Sequence, residues 1–231
     1  MKMERKTILF QGDSLTDCGR ARTNPDVNTG LGDGYVTMVA GEIGCKYPFI
    51  DVMNRGVGGN RAADIYARWL EDMREVPFDL IHVYHALNDV GFQLRLNKGS
   101  DPERFEFIYD RMLYEVKQTH PDAGIIMGQP YILKKNLEGN RYIHPQFGND
   151  IYENYDLWSQ QAKERGEICE RLAQKYGAIY VRYWDALEEA QKTISVDDLS
   201  VDCIHLTARG NYILAQACIK AIEGYVKKNW L

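Results

Sequence analysis

The sequence lacks any hydrophobic run long enough to cross a membrane. Its first ten residues, MKMERKTILF, offer only Ile8, Leu9 and Phe10 in succession, whereas a spanning helix needs about 20 apolar residues and a secretory leader about 7 to 15. It also lacks a basic block, since 28 Lys and Arg are outnumbered by 33 Asp and Glu, for a net charge of -5. Nucleic acid, which binds clustered cations, is therefore not an expected partner. These features predict a cytoplasmic protein with no membrane and no nucleic-acid partner.

Motifs for metals, disulfides and phosphate groups are missing as well. The five cysteines are odd in number and include no C-x-x-C pair, which argues against a disulfide framework and a zinc knuckle. His82, His120 and His144 show no ligand spacing. Neither G-x-x-x-x-G-K-[ST] nor G-x-G-x-x-G occurs in the glycine-rich segment of residues 54–60. No metal and no cofactor are expected.

Short apolar runs alternate with longer segments of helical periodicity. Five runs are apolar on both faces, as strands of a covered parallel sheet should be: residues 7–10, 49–53, 80–84, 124–127 and 178–181. Helices are predicted for residues 33–43, 62–73, from 101 onward, 151–176 and after 207. This order predicts one domain over residues 1–231, an α/β fold with three layers (α/β/α), doubly wound and flavodoxin-like, around a mostly parallel sheet of about five strands.

Polar groups of the kind used by serine esterases follow the predicted strands. Ser14 comes after the first strand, Gly59 after the second, Asn88 after the third, and Asp202-x-x-His205 lies before the last helix. In doubly wound sheets such strand ends gather around a ligand site. Gly, Asp and Ser are also common turn residues, so a plain turn is the alternative for the Ser14 segment taken alone. A base, an acid and oxyanion donors elsewhere in the chain favour a nucleophile.

These blocks resemble a known family. Gly12-Asp13-Ser14-Leu15, Gly59, Asn88-Asp89 and Asp202-x-x-His205 are similar to the blocks of the GDSL, or SGNH, hydrolases, and the resemblance covers nearly the whole chain. The G-x-S-x-G elbow of α/β-hydrolases is absent, because Thr16 stands at its last glycine. The segments GDSLTDCGRAR (12–22), LGDGYV (31–36) and ARWLED (67–72) resemble the intracellular acetylxylan esterases.

The residues and the resemblance together imply a mechanism. Ser14 would be the nucleophile, His205 the base that takes its proton, and Asp202 the acid that orients the imidazole. The oxyanion would accept hydrogen bonds from the backbone N–H groups of Ser14 and Gly59 and from the Asn88 side chain.

The surroundings of these groups include departures from the family pattern. Ala86 stands where the family usually has glycine, and Leu206 where it usually has proline. Asp13 and Asp89 are expected to bond loop N–H groups. The residues chosen as candidates for substrate binding are Asp13, Arg55, Asn60, His85 and Tyr131. The aromatic residues placed in loops, which either stack on sugars or pack inside, are Tyr131, Tyr142, Phe147 and Trp184.

The resulting prediction is a serine esterase that removes small acyl groups, acetyl above all, from xylan-derived or other oligosaccharides. A lysophospholipase or thioesterase with the same triad is one alternative. A catalytically weakened carbohydrate-binding relative is another, which Ala86 and Leu206 favour. The resemblance also implies a homo-oligomer. The sequence leaves open whether Cys18 and Cys203, each near a candidate catalytic group, are reactive.

Overall fold

A five-stranded parallel sheet organises the chain in the computed structural model, which describes residues 4–23, 29–136, 144 and 146–231. The strands are β1 (Lys6–Gly12), β2 (Ile50–Asn54), β3 (Leu80–Tyr84), β4 (Gly124–Gly128) and β5 (Ile179–Val181). They pair in the order β2-β1-β3-β4-β5, and every pairing is parallel. The predicted fold class is confirmed.

Helices connect the strands and close the chain. In the described part of the sequence they are α1 (Ser14–Asp17), α2 (Tyr35–Lys46), α3 (Ala62–Ala67), α4 (Leu87–Leu96), α5 (Pro102–Thr119), α6 (Asp150–Glu153), α7 (Tyr155–Tyr176), α8 (Tyr183–Ala190), α9 (Val196–Leu199) and α10 (Ala208–Asn229). The helix predicted for residues 62–73 is interrupted, because α3 stops at Ala67 and Leu70–Arg74 forms a π-helical turn. Among the described helices, none is both long and apolar enough to pass through a bilayer.

The two faces of the sheet carry separate apolar clusters. Along β1, Ile8 and Phe10 are buried with residues of α2, α8 and α10, whereas Leu9 between them is buried with residues of α3, α5 and the second half of α7. Successive side chains of a strand point to opposite faces, so a strand covered on both sides is apolar at most of its positions. This explains why the strand signal in the sequence was a continuous apolar run.

The strand order sets the place of the site. From β1 the chain passes to β2 on one side of it and then to β3 on the other. At such a reversal the connections leave in opposite directions, and a crevice opens at the carboxyl ends of the two central strands. Helix α1 begins at the end of β1, and α4 begins just past the end of β3. Residues of both helices therefore meet in this crevice.

Candidate active site

Ser14 is the first residue of the short helix α1, directly after β1. The preceding Asp13 is buried, and its carboxylate accepts a hydrogen bond from the Leu15 N–H at 3.1 Å, which caps the helix. This cap holds the turn that lifts Ser14 out of the strand. Its Oγ lies 2.9 Å from Nε2 of His205.

Asp202 holds the other side of the His205 ring. Its Oδ2 is 2.7 Å from His205 Nδ1, and its Oδ1 accepts from the backbone N–H groups of Ile204 at 3.1 Å and His205 at 2.6 Å. Asp202 is fully buried, while the His205 side chain is one-third exposed. Because the carboxylate is fixed by the backbone, it fixes the imidazole in turn, and Nε2 is left facing Ser14.

Asp202 and His205 shift each other's pKa in the direction that favours the charged forms. Burial alone would lower the pKa of His205, but its hydrogen bond to Asp202 and the charges of Asp202 and Asp13 raise it above its ordinary value. Burial alone would raise the pKa of Asp202, but the hydrogen bond and charge of His205 bring it below its ordinary value. The imidazolium that forms when His205 takes a proton is thus stabilised where it forms.

The loop after β2 passes directly beside Ser14. A methyl group placed on Gly58 would lie 3.7 Å from Ser14 Cβ, and the Gly58 N–H donates to Asp17 Oδ2 at 2.7 Å. Gly59 has φ +79°, a conformation that glycine adopts at little cost. From residue 55 to residue 61, every backbone N–H except that of Gly59 donates to a described residue. The N–H of Ser14 likewise has no partner among the described residues, so both are available as oxyanion donors.

Asn88 approaches from the start of α4. Its amide Nδ2 donates to the Asn60 carbonyl at 3.0 Å, which uses one of its two N–H groups and leaves the second. Three donors of the predicted kind are therefore brought to the same crevice, from Ser14, Gly59 and Asn88. Their catalytic roles stay predictions.

Comparison with known proteins agrees with this geometry. Residues 10–213 match the model of the GDSL-like Lipase/Acylhydrolase family. The chain belongs to this family. An acetylxylan esterase of Geobacillus stearothermophilus is 31% identical over 220 residues, with 93% of each chain covered. The match and the relative identify the GDSL-family chain described here as a carboxylic ester hydrolase.

Solved structures give the same relationship. The crystal structure of Axe2, an acetylxylan esterase from Geobacillus stearothermophilus, superposes with a TM-score of 0.79 at 29% identity, over 96% of each chain. A catalytic mutant of Axe2 superposes with a TM-score of 0.80 at 28% identity, again over 96% of each chain. Separate catalytic mutants of Axe2 replace an aspartate, a serine and a histidine. Those are the residue types that meet in the GDSL-family site described here.

His144 lies beside this site, although no motif or spacing in the sequence placed it there. Its ring stacks on His205 with 5.4 Å between centroids, and its Nε2 is 4.0 Å from Asp202 Oδ2. Burial lowers the pKa of His144 to about 4, so the ring is neutral near pH 7. Its Nδ1 accepts from the backbone N–H groups of Gln146 and Phe147, both at 3.2 Å. The proton is therefore on Nε2, directed at the carboxylate.

His144, Asp202 and His205 place one ligand-type atom each within 4.8 Å of one another, which is close enough for a metal ion. The hydrogen bonds argue for a different use of these atoms. Nε2 of His144 and Nδ1 of His205 both carry protons that face the carboxylate, and a metal ligand needs a free lone pair at that atom. We therefore interpret His144 and Asp202 as side chains that hold the general base, His205, in place.

Two candidates for substrate binding are interior residues, with almost no exposed surface to offer a sugar. Tyr131 is 0% exposed, and its hydroxyl donates to the Ile204 carbonyl at 2.7 Å, so it supports the segment before His205. His85 is 1% exposed and stacks on Tyr109 at 4.5 Å, and burial lowers its pKa to about 3. A side chain without exposed surface has no contact with a sugar.

The remaining candidates divide in the same way. Asp13 is buried, and its carboxylate caps α1 by accepting from the Leu15 N–H; substrate contact by it stays a prediction. Arg55 and Asn60 are partly exposed in the loop beside Ser14, and substrate contact by them stays a prediction. Phe147 and Trp184 are buried, so they pack inside the protein. Tyr142 lies outside the described residues.

Proposed function

We propose that this GDSL-family esterase removes acetyl groups from xylan-derived oligosaccharides through an acyl-enzyme on Ser14. The observation that carries the proposal is the unbroken series from Ser14 Oγ to His205 Nε2 at 2.9 Å and from His205 Nδ1 to Asp202 Oδ2 at 2.7 Å. The names of the acetylxylan esterases to which the chain is similar over more than nine-tenths of its length support the substrate class.

In the first half of the reaction, Ser14 Oγ attacks the acetyl carbonyl carbon while its proton moves to His205 Nε2. The carbonyl oxygen becomes an oxyanion that accepts from the N–H groups of Ser14 and Gly59 and from the Asn88 amide. The bond between the carbonyl carbon and the sugar oxygen then breaks. His205 Nε2 gives its proton to that oxygen, and the deacetylated sugar leaves.

In the second half, water attacks the acetyl group on Ser14. His205 Nε2 takes the proton of this water, and a second oxyanion forms in the same place. When it collapses, the bond to Ser14 Oγ breaks, Oγ recovers its proton from His205, and acetate leaves. The buried carboxylate of Asp202 stabilises the imidazolium in both halves.

Chain-length preference on p-nitrophenyl acetate, butyrate and octanoate tests the proposal. We expect the acetate to be hydrolysed fastest and Ser14→Ala to be slower on the order of a millionfold, because a triad acts as a unit. Release of acetate from acetylated xylooligosaccharides is the next measurement. Faster hydrolysis of octanoate would replace the proposal by a lysophospholipase or thioesterase. Sugar binding without turnover would indicate a weakened binding relative.

The cytoplasmic location and the homo-oligomeric state stay predictions. Light scattering coupled to gel filtration would give the assembly directly.

A further inference from the structure

We propose that Arg68 is a positioning residue that holds the expected oxyanion donors at fixed positions relative to one another. This inference rests on the proposed esterase function. Arg68 follows α3, in the segment Ala67-Arg68-Trp69-Leu70-Glu71-Asp72, which supplies none of the candidate catalytic groups. Its side chain is only 19% exposed. This one guanidinium reaches two separate parts of the crevice.

One set of contacts is with the loop after β2. Arg68 Nε donates to Asn60 Oδ1 at 2.7 Å, and Arg68 Nη1 donates to the Arg55 carbonyl at 2.9 Å. These acceptors lie on both sides of Gly58 and Gly59, so the guanidinium spans the base of the loop that carries the Gly59 N–H. Two other side chains contact single points of this loop: Arg20 Nε donates to the Gly56 carbonyl at 2.7 Å, and Asp17 accepts from the Gly58 N–H at 2.7 Å.

A second set of contacts is with the end of β1. Arg68 Nη2 donates to Gln11 Oε1 at 2.9 Å and to the Gly12 carbonyl at 3.3 Å. Gly12 is two residues before Ser14, whose backbone N–H is another expected oxyanion donor. The planar guanidinium thereby fixes the spacing between the strand end that carries Ser14 and the loop that carries Gly59. Asp72 pairs with Nη1 and balances the charge.

Asn60 extends the arrangement to the third donor. Arg68 holds its side chain, and its carbonyl accepts from Asn88 Nδ2 at 3.0 Å. A shift of Asn60 would therefore move the Gly59 N–H next to it in the chain and turn the Asn88 amide. All three expected donors depend, directly or through Asn60, on one side chain.

Lysine cannot replace this group. A guanidinium offers five N–H donors in a fixed plane, whereas an ammonium is a single point charge on a flexible stem. Arg68→Lys keeps the charge beside Asp72 and loses the geometry. Because a displacement of about 1 Å at reacting groups typically costs about 100-fold, we expect kcat on p-nitrophenyl acetate to fall about 100-fold with KM nearly unchanged.

The control is Arg111→Lys. Arg111 is half-exposed on α5 and pairs with Glu115 four residues later, far along the chain from the loop, and this variant should keep wild-type kcat. Thermal unfolding is measured for both variants. If Arg68→Lys does not fold, Asn60→Ala removes the acceptor on the loop side and should produce the same loss of kcat.

A double-mutant cycle separates positioning from a merely structural effect. Arg68→Lys and Asn88→Ala act on the same donors, so their combined loss of kcat should be much smaller than the product of the single losses. Affinity for a boronic acid that forms a tetrahedral adduct with Ser14 should fall in parallel with kcat/KM. Multiplicative losses, unchanged boronate affinity, or a wild-type kcat in Arg68→Lys would overturn the inference while the esterase function stood. If the wild-type protein hydrolysed no ester, that result would instead contradict the proposed function itself.

Discussion

Replacing Asp202 by asparagine should disable the base while leaving it in place. In the protein, Asp202 Oδ1 already accepts two backbone N–H groups, from Ile204 and His205. In Asp202→Asn the amide oxygen keeps those two bonds, so the amide NH2 takes the place of Oδ2, 2.7 Å from His205 Nδ1. An NH2 group donates, and Nδ1 must then accept. The imidazole proton moves to Nε2, the atom that faces Ser14.

The expected loss follows from that tautomer. With a proton on Nε2 the ring has no lone pair for the Ser14 hydroxyl, and in the same constellation on another fold this change costs about 10,000-fold in kcat. That factor corresponds to about 5 kcal/mol of transition-state stabilisation. A fall of this size in the kcat of Asp202→Asn, with an unchanged melting temperature, would show that the substitution affects the chemical step rather than the fold.

The pH dependence of kcat/KM provides an independent test of the role of Asp202. In the wild type the pKa of His205 lies above its ordinary value of 6.5, because the bond and charge of Asp202 outweigh burial. The base works when deprotonated, so kcat/KM rises as pH passes through this pKa. Without the carboxylate, burial lowers the pKa, and the acid limb should move to lower pH in Asp202→Asn.

Hydrolysis of p-nitrophenyl acetate from about pH 5 to about pH 9 measures both effects, since that range brackets the ordinary pKa of histidine. The control is Asp122→Asn, an exposed aspartate outside the site, which should match the wild type. A loss of kcat below about 10-fold, or an acid limb that stays in place or moves up, would refute the role assigned to Asp202.

Further predictions concern the donors, the loop, the buried acid and the thiols. Asn88→Ala should lower kcat about 100- to 1000-fold with KM little changed, since one oxyanion donor is lost. Gly56→Ala should lower the free energy of unfolding by about 1 to 3 kcal/mol, measured in urea, because the added methyl would lie 2.4 Å from the Asp17 backbone nitrogen. Burial raises the pKa of Asp13 to about 7. The folded state then keeps a proton that the unfolded state releases above about 4, and stability falls as pH rises between these values. Asp13→Asn should therefore raise the melting temperature at pH 8 and have little effect near pH 3. Iodoacetamide should label Cys45 alone in the native protein without loss of activity, because Cys45 is exposed while burial raises the pKa of the Cys18 thiol to about 12.

Each of these has a clear contrary result. Full activity in Asn88→Ala would show that the Asn88 amide is not an oxyanion donor. Unchanged stability in Gly56→Ala would mean that the loop has room to shift. A melting temperature of Asp13→Asn that tracks the wild type at every pH would contradict a raised pKa of Asp13. Loss of activity on labelling, with Cys18 modified, would show a reactive thiol beside the nucleophile.

The sequence predicted the sheet well because its strands are covered on both faces. A strand such as β3 (Leu80–Tyr84) is then buried at every position, and its one polar residue, His82, lies within hydrogen-bonding distance of two tyrosine hydroxyls. The predicted limits of β3 coincide with those in the structure. Helix α4 was not predicted, because Asn88-Asp89 after a strand has the composition of a turn. Of its five buried residues, 87–91, only Leu87 and Val90 are large apolar side chains, so the buried stretch does not stand out as an apolar pattern.

In the site, the residues that could be found from the sequence are those that form an uncommon pair a few positions apart in the chain. Asp202 and His205, three positions apart, are an example, and the structure brings them together with Ser14. His144 and Arg68 were not found as neighbours of these groups, because their contacts join segments far apart in the chain. Sequence composition also does not separate a buried aromatic ring from an exposed one.

The departure from the family pattern before Asn88, at Ala86, is explained by packing on one face of the sheet. The methyl group of Ala86 is buried in the apolar cluster that contains Phe105 and Tyr109, and the His85 ring stacks on Tyr109 in the same place. The His85 ring thus packs on helix α5, and the Ala86 side chain is buried in the same cluster. The Asn88 amide still reaches the Asn60 carbonyl at 3.0 Å. The Ala86 methyl therefore fills interior space, while the Asn88 amide contacts the loop that carries Gly59, the other expected donor.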